Sequence, residues 1–358
     1  MKLRPRKVAP TRTLFSRALR PILYVGVSLF ILGASALTFF VFESRHIAAP
    51  SSSIEVTQIT PESAAVIEET LESFPVSVNP VEKEISEDPA LANFIGEHIA
   101  PTDQVLSLNP YWFTRALGKL ALMGWYQNLA SLSSRILVVE SGERKEQVAE
   151  HFGKILKWDA VEKKEFLALI ETTAPVLEEG KLFPGAYTVS KDALPGEVAA
   201  LVLERFNTEV LKRYPQDIEE VVPLSDALTI ASLLEREARD FDDMRHISGV
   251  IWNRLFTDMR LQIDATLQYA KGSKANQPWW PRVVPDDKYL SSAYNTYKNE
   301  GLPPTPIANA SLEAITAALN PIETECMYYF HDKKGGFHCS VTYEEHVASL
   351  KEYYGRGK

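Results

Sequence analysis

Residues 21–42, PILYVGVSLFILGASALTFFVF, contain no charged side chain. As a helix this run spans about 33 Å, enough for a bilayer's hydrocarbon core, so a single N-terminal transmembrane helix is expected. A cleaved signal peptide is the alternative; its apolar core would be too long, and no convincing small-residue cleavage site follows ESRH. Residues 43–105 lose the pattern, are rich in Ser, Pro, Glu and Thr, and read as a stalk with a short helix around Ala64–Ser73. Helical apolar spacing returns in NPYWFTRALGKLALMGWYQNLASL, predicting a packed helix.

From Arg135 the pattern predicts a strand (RILVVE), a turn (SGE), an amphipathic helix (RKEQVAEHFGKIL) and a second helix after Trp158. LFPGAYTVS reads as another strand and LPGEVAALVLERFNTEVLKRY as a helix. Beyond them lie a helix N-capped by Ser225 with Asp226 in its first turn, and a helix over DMRHISGVIWNRLFTDM. RLQIDATLQYAKG, an aromatic loop NQPWWPRVVPD, SAYNTYKNEGLPPTPIAN, a helix SLEAITAALNP and a hairpin around DKKGG follow. Separate helices and short strands predict an α+β fold rather than a parallel α/β sheet. A hairpin turn centred near Asp332 and Lys333 would bring Cys326 and Cys339 within disulfide reach; a turn centred on Lys334 and Gly335 would separate them.

Charge sharpens the topology. Residues 1–20 carry seven basic and no acidic side chains, whereas the rest holds 31 basic against 47 acidic. The basic flank places residues 1–20 in the cytoplasm and everything after residue 43 outside the inner membrane. The acidic body argues against a nucleic-acid partner.

The candidate chemistry sits in LTIASLLEREARDFD. On a helical wheel Thr229, Ser232, Arg236, Arg239 and Asp240 share a polar arc, while Glu235 and Glu237 fall at opposite borders of the apolar arc. Acids two residues apart face nearly opposite ways and cannot act as a catalytic pair with each other. Either both carboxylates reach water or an arginine, or one faces a cleft whose apolar wall raises its pKa and lets it donate a proton near neutrality. Periodicity does not choose between them.

ASLLERE, VIWNRL, MRLQIDATLQYAKG, AYNTYKNEGLPPTPIAN, AITAALNP and TYEEH occur in the order and spacing of the endolytic murein transglycosylase (YceG-like) family, which residues 179–358 resemble. Residues 135–178 resemble its small LysM-like unit, and no family match is identified for residues 47–134. The resemblance implies a mixed α+β YceG-like catalytic domain that cuts peptidoglycan glycan strands internally. It further implies an inner-membrane protein held in the bilayer by residues 21–42, with its catalytic domain periplasmic and peptidoglycan synthases as further partners. It assigns catalysis to the first acid of the run, Glu235, acting as acid and then base without a second carboxylate. Under the same resemblance Gln262, Asp264, Tyr294, Asn295, Thr296, Tyr297 and Asn309 are candidate substrate contacts near Glu235. Read without it, YNTY is a turn with packed aromatics and Asn309 a helix cap. Asn253 and Arg254 read as structural anchors of their helix.

The chain departs from the family where LQTDPT becomes LQIDAT, at Ile263 and Ala265, and where GLPPGPI becomes GLPPTPI at Thr305. Trp279 and Trp280 are either sugar-stacking rings or a packed loop. His331, His338 and His346 lack zinc-site spacing, so neither metal nor cofactor is expected. The other function classes are a non-catalytic envelope protein binding peptidoglycan or synthases, and a hydrolytic muramidase.

Overall fold

The computed structural model describes residues 71–99, 134–272 and 277–355. The expected membrane span, the basic tail and the aromatic-rich helix around residues 109–132 lie outside them. No helix among the described residues is long and apolar enough to cross a membrane.

In chain order, β1 (Val78–Asn79) pairs with β2 (Glu84–Ile85), and α1 (Leu91–Phe94) follows. Next come β3 (Ser134–Val139), α2 (Lys145–Leu156), α3 (Ala160–Thr172), β4 (Gly185–Ser190), α4 (Pro195–Glu209) and α5 (Gln216–Val221). The chain continues through α6 (Leu224–Glu237), α7 (Phe241–Phe256), α8 (Asp264–Gly272) and α9 (Leu312–Leu319). The hairpin β5 (Tyr328–His331) and β6 (Phe337–Ser340) precedes α10 (Tyr343–Tyr354). Helices and small two-stranded antiparallel sheets match the α+β expectation.

Two apolar cores organise these elements. One lies under the β3–β4 sheet, where alternation sends Leu137, Val139 and Tyr187 inward against Phe152, Phe166 and Trp158. The other surrounds α6, α7 and α9. Helix α4 joins them, giving Val198 and Val202 to the first and Phe206 to the second. Strand β3 pairs with β4, so the 178/179 boundary drawn from sequence falls between the two strands of one sheet. Part of the expected stalk is also core: Phe74, Val78 and Phe94 are buried in the core that surrounds α6, α7 and α9. Asn320 at the end of α9 fastens this segment, donating to the Pro75 carbonyl at 2.7 Å and accepting from Ser77 Oγ at 2.8 Å.

Helix α6 departs from the amphipathic expectation, because every residue from Ala227 to Leu234 is buried. Its polar arc survives by internal pairing. Thr229 Oγ1 donates to the Ser225 carbonyl at 2.6 Å, and Ser232 Oγ accepts from Ile307 N at 3.0 Å. Ser225 is not the cap: the helix starts at Leu224 behind Pro223, and Glu219 Oε2 of α5 accepts from Leu224 N at 2.9 Å.

The hairpin is held onto α7 from beneath. A Cβ at Gly249 would stand 2.3 Å from the Ile322 carbonyl oxygen, so only glycine admits this approach. Asn253 Nδ2 donates to the carbonyls of Thr324 (2.6 Å) and Cys326 (3.1 Å), and Arg254 Nε to that of Met327 (2.7 Å). These two residues therefore anchor the hairpin's approach, a larger role than anchoring their own helix. Tyr329 pairs with Cys339 and Tyr328 with Ser340, which centres the turn on Lys334. That register was expected to separate the cysteines, yet Cys326 and Cys339 are bridged with Cα atoms 5.8 Å apart. Cys326 lies just before β5, where the chain drawn in by Asn253 and Arg254 no longer follows ladder geometry.

Between the cores, Glu179 is 1% exposed. Its Oε1 accepts from Lys145 N (3.0 Å) and Gly180 N (3.3 Å), while Oε2 has no hydrogen-bond partner. Burial, aided by Glu146, pushes the carboxyl up to about 8 against the attraction of Lys145. A folded-state pKa raised in this way means the native state binds more protons than the unfolded chain between the ordinary glutamate range and about 8. Its contribution is therefore greatest at low pH and is lost as pH rises through that window. Relative to Glu179→Gln, the parent protein's melting temperature is expected to fall progressively between about pH 5 and pH 8. A difference between the two that stays constant with pH in thermal melts contradicts this account.

Candidate active site

Helix α6 ends by presenting its two glutamates to different neighbours, as their two-residue spacing requires. Both sit in the last turn, where the helix dipole disfavours negative charge. Both carboxyls are half-buried and titrate above the ordinary range, with burial as the leading cause in each.

Glu235 faces α9 and the turn between β3 and α2. Its Oε1 accepts from Ser311 N at 2.7 Å, and the Ser311 and Ser141 side chains also hydrogen-bond to it. Those bonds pull its pKa down against burial, while Glu313 pushes it up. The same turn is pinned beside it: Gly142 N donates to the Asn309 carbonyl and Asn309 N to that of Glu143, both at 2.8 Å. Gly142 has φ +77°, and a Cβ there would lie 3.4 Å from Arg236 Nη1. Glu235 thus ties the β3–α2 turn to the N-terminus of α9.

Glu237 faces the start of α8 and the hairpin. It accepts from the backbone N–H of Ala265 in the first turn of α8 and from the Tyr329 hydroxyl, with Oε2 3.3 Å from that oxygen. After burial, the nearby Asp264 carboxylate is the main influence raising its pKa, while His331 works in the opposite direction. His331 is paired with Asp243 at 2.8 Å. Asp264 is exposed, and its Oδ1 accepts from the Tyr297 hydroxyl at 2.6 Å. Burial, then Asp264, holds the Tyr297 hydroxyl in its neutral form.

The candidate contacts from sequence divide accordingly. Asp264 and Tyr297 gather around Glu237 rather than around Glu235, with exposed Gln262 immediately before α8. Gln262 adopts φ +51°, a left-handed conformation costly for a side-chain-bearing residue. Thr296 holds it there: the Thr296 carbonyl accepts from Gln262 N at 3.1 Å and Oγ1 from Ile263 N at 3.0 Å. Thr296 and Asn295 are buried and work on the backbone. Asn295 Nδ2 donates to the carbonyls of Lys288 (3.1 Å) and Leu290 (2.7 Å), and its Oδ1 accepts from Tyr297 N (3.0 Å). Asn309 likewise works on the backbone. It is fully buried, donating through Nδ2 to the Glu143 carbonyl at 2.8 Å and accepting from Leu182 N at 2.9 Å. Tyr294 packs its ring 4.7 Å from that of Tyr269 and hydrogen-bonds Thr305 Oγ1 at 2.8 Å, a contact that a glycine at 305 could not supply.

Trp280 is not an open stacking surface. The guanidinium carbons of Arg236 and Arg144 lie 4.0 and 4.4 Å from its ring centroid, and its Nε1 donates to Gln147 at 2.9 Å. It clamps α2 to α6. The C-terminal histidines are dispersed in role: His331 pairs with Asp243, His338 with Asp332, and His346 stacks on Tyr328.

Tyr329, Ser141, Ser311 and Asp243 were not singled out from sequence. The alternation of MYYFH marks Tyr329 and His331 as sharing one strand face, but only the packing of the hairpin on α6 and α7 says which face meets Glu237.

Comparison with known proteins agrees with this architecture. The YceG-like family model matches residues 115–352, beginning inside the stretch for which no family match was identified. A protein of Bacillus subtilis named endolytic murein transglycosylase is 35% identical over 176 residues, covering 49% of this chain and 48% of that protein. One of the same name from Streptococcus pneumoniae serotype 2 is 30% identical over 176 residues, 49% of this chain and 32% of its own length. The chain thus spans about half and a third, respectively, of these relatives. The crystal structure of a YceG-like protein from Listeria monocytogenes superposes with a TM-score of 0.53 at 27% identity, covering 66% of this chain and 80% of that one. With the family model matching well over half of its length, the chain belongs to the YceG-like family.

Proposed function

We propose that this protein is an endolytic peptidoglycan transglycosylase, held in the inner membrane by residues 21–42, that cleaves MurNAc–GlcNAc β-1,4 bonds in glycan strands outside the cytoplasm. The names of the relatives support the activity, and the apolar run with its basic flank supports the anchor. The β3–α2–α3–β4 unit is LysM-like in this reading and lies against the catalytic unit. Peptidoglycan synthases are the protein partners it would meet.

The acid is Glu237 rather than Glu235. One observation carries this: Glu237 is the glutamate with Asp264, Tyr297 and Tyr329 around it, whereas Glu235 is engaged by Ser141 and Ser311 in joining two elements. In the reaction, protonated Glu237 gives its proton to the glycosidic oxygen as the C1–O bond breaks. The carboxylate left behind takes the proton of the muramic acid C6 hydroxyl, whose oxygen bonds to C1. A 1,6-anhydro end forms, Glu237 is protonated again, and no water is consumed. Gln262, Asp264 and Tyr297 supply hydrogen-bonding groups for the sugar, while Asn295 and Thr296 hold the loop that presents them.

A hydrolytic muramidase is the second reading, favoured by one feature: Asp264 beside Glu237 is a second carboxylate of the kind a hydrolase uses as base or nucleophile.

Purified glycan strands incubated with the full chain and analysed by mass spectrometry are expected to show internal cleavage to anhydromuramyl ends. Reducing ends support the hydrolase, and uncut strands a binding protein. Glu237→Gln is expected to lower the cleavage rate at least about a hundredfold with folding intact. Glu235→Gln is expected to retain measurable cleavage but to melt earlier; the converse pair of results returns the acid to Glu235.

The pH dependence has a definite sign. An acid raised by burial stays protonated closer to neutrality, so kcat/KM is expected to decline along an alkaline limb set by Glu237, at higher pH than for an ordinary carboxyl. Asp264→Asn removes the repelling charge and is expected to move that limb downward. An upward or absent shift in the pH–rate profile contradicts the assignment.

A further inference from the structure

The hairpin is more strongly anchored than a surface turn requires, and its inward face meets Glu237. Tyr329 lies opposite Cys339, which is bridged to Cys326, while Asn253 and Arg254 hold the carbonyls of residues 324, 326 and 327. The Tyr329 ring packs against the main core and stacks on Phe337 with centroids 5.9 Å apart. Ring and backbone are thus both fixed before the hydroxyl is considered. That hydroxyl donates to Glu237 Oε2 from 3.3 Å, and the Ala265 N–H approaches the same carboxyl from α8.

Building on the reading of Glu237 as the acid, we propose that Tyr329 is a positioning residue, whose hydroxyl works with the Ala265 N–H to hold the Glu237 carboxyl in one orientation. The two donors come from different elements, hairpin and helix, so together they restrict rotation about the carboxyl's last bond in a way that one donor would not. Ala265 stands where the family pattern has a proline, and proline has no N–H to donate; this chain therefore has a donor at that position that the pattern lacks.

Both donors favour the charged carboxylate. The other charged or titratable groups facing it are Asp264 from α8, His331 with its partner Asp243, Tyr297 from the 294–297 loop, and Arg236 on α6 itself; Arg254 interacts with Tyr329. Tyr329→Phe keeps the ring and removes the donor, leaving those charges in place.

Full-length Tyr329→Phe, assayed on glycan strands across pH beside the parent, is expected to lower kcat about tenfold with KM unchanged. It is also expected to move the alkaline limb upward by about half a pH unit, as loss of one hydrogen bond to a charged group requires. Ala265→Pro, at a helix position that accepts proline, is expected to move the limb in the same direction. Tyr328→Phe, on the opposite strand face, is expected to leave the limb in place. A uniform loss of activity with an unmoved limb in both Tyr329→Phe and Ala265→Pro overturns the positioning role. Active Glu237→Gln overturns the underlying reading and this inference with it, whereas inactive Glu237→Gln with unmoved limbs overturns this inference alone.

Discussion

Everything near the candidate site depends on a helix whose middle is buried on all sides and whose last turn carries two carboxyls out of the core. From Ala227 to Leu234 no face of α6 reaches solvent. The next residues must leave that environment at the end of the helix where the dipole opposes negative charge. Burial and dipole both favour the neutral acid, so each glutamate needs donors from neighbouring elements if it is to ionise at all. The neighbours differ: Ser141 and Ser311 for Glu235, the start of α8 and the hairpin for Glu237. The proposed assignment of the acid to Glu237 rests on that difference.

The two cores are joined around this helix end rather than merely placed beside each other. Asn309, Glu235 and the β3–α2 turn form one connection, and Trp280 between two guanidiniums forms another. Burying a polar side chain such as Asn309 is tolerable because its amide donates to one unit's turn and accepts from the segment leading to β4. The segment 324–327 is treated similarly, with Asn253 and Arg254 satisfying carbonyls that would otherwise be stranded over α7. Polar residues with the composition of a sugar-binding set are therefore used, in part, to hold backbone.

Much of the architecture was legible in the sequence. Period-2 and period-3.6 patterns located β3, β4, the hairpin and most helices, because the sides of these elements facing a core must be apolar whatever lies opposite. The opposed directions of Glu235 and Glu237 also followed from helix geometry alone. The same periodicity failed for α6, since a helix enclosed on every side carries no polar face, and its Thr and Ser hydroxyls were satisfied inside the core.

Sequence by itself determined the class of fold, the positions of β3, β4, the hairpin and helices α2, α3, α4, α6, α7 and α9, and a short run holding a candidate acid. Only tertiary structure decided which acid met the polar groups of α8, the 294–297 loop and the hairpin. It also showed that Asn295, Thr296 and Asn309 turn inward, and that Cys326 reaches Cys339 despite the hairpin register. The reason is physical: local spacing sets the direction of a side chain relative to its own element, whereas pKa, burial and hydrogen bonding are set by atoms that distant parts of the chain bring against it.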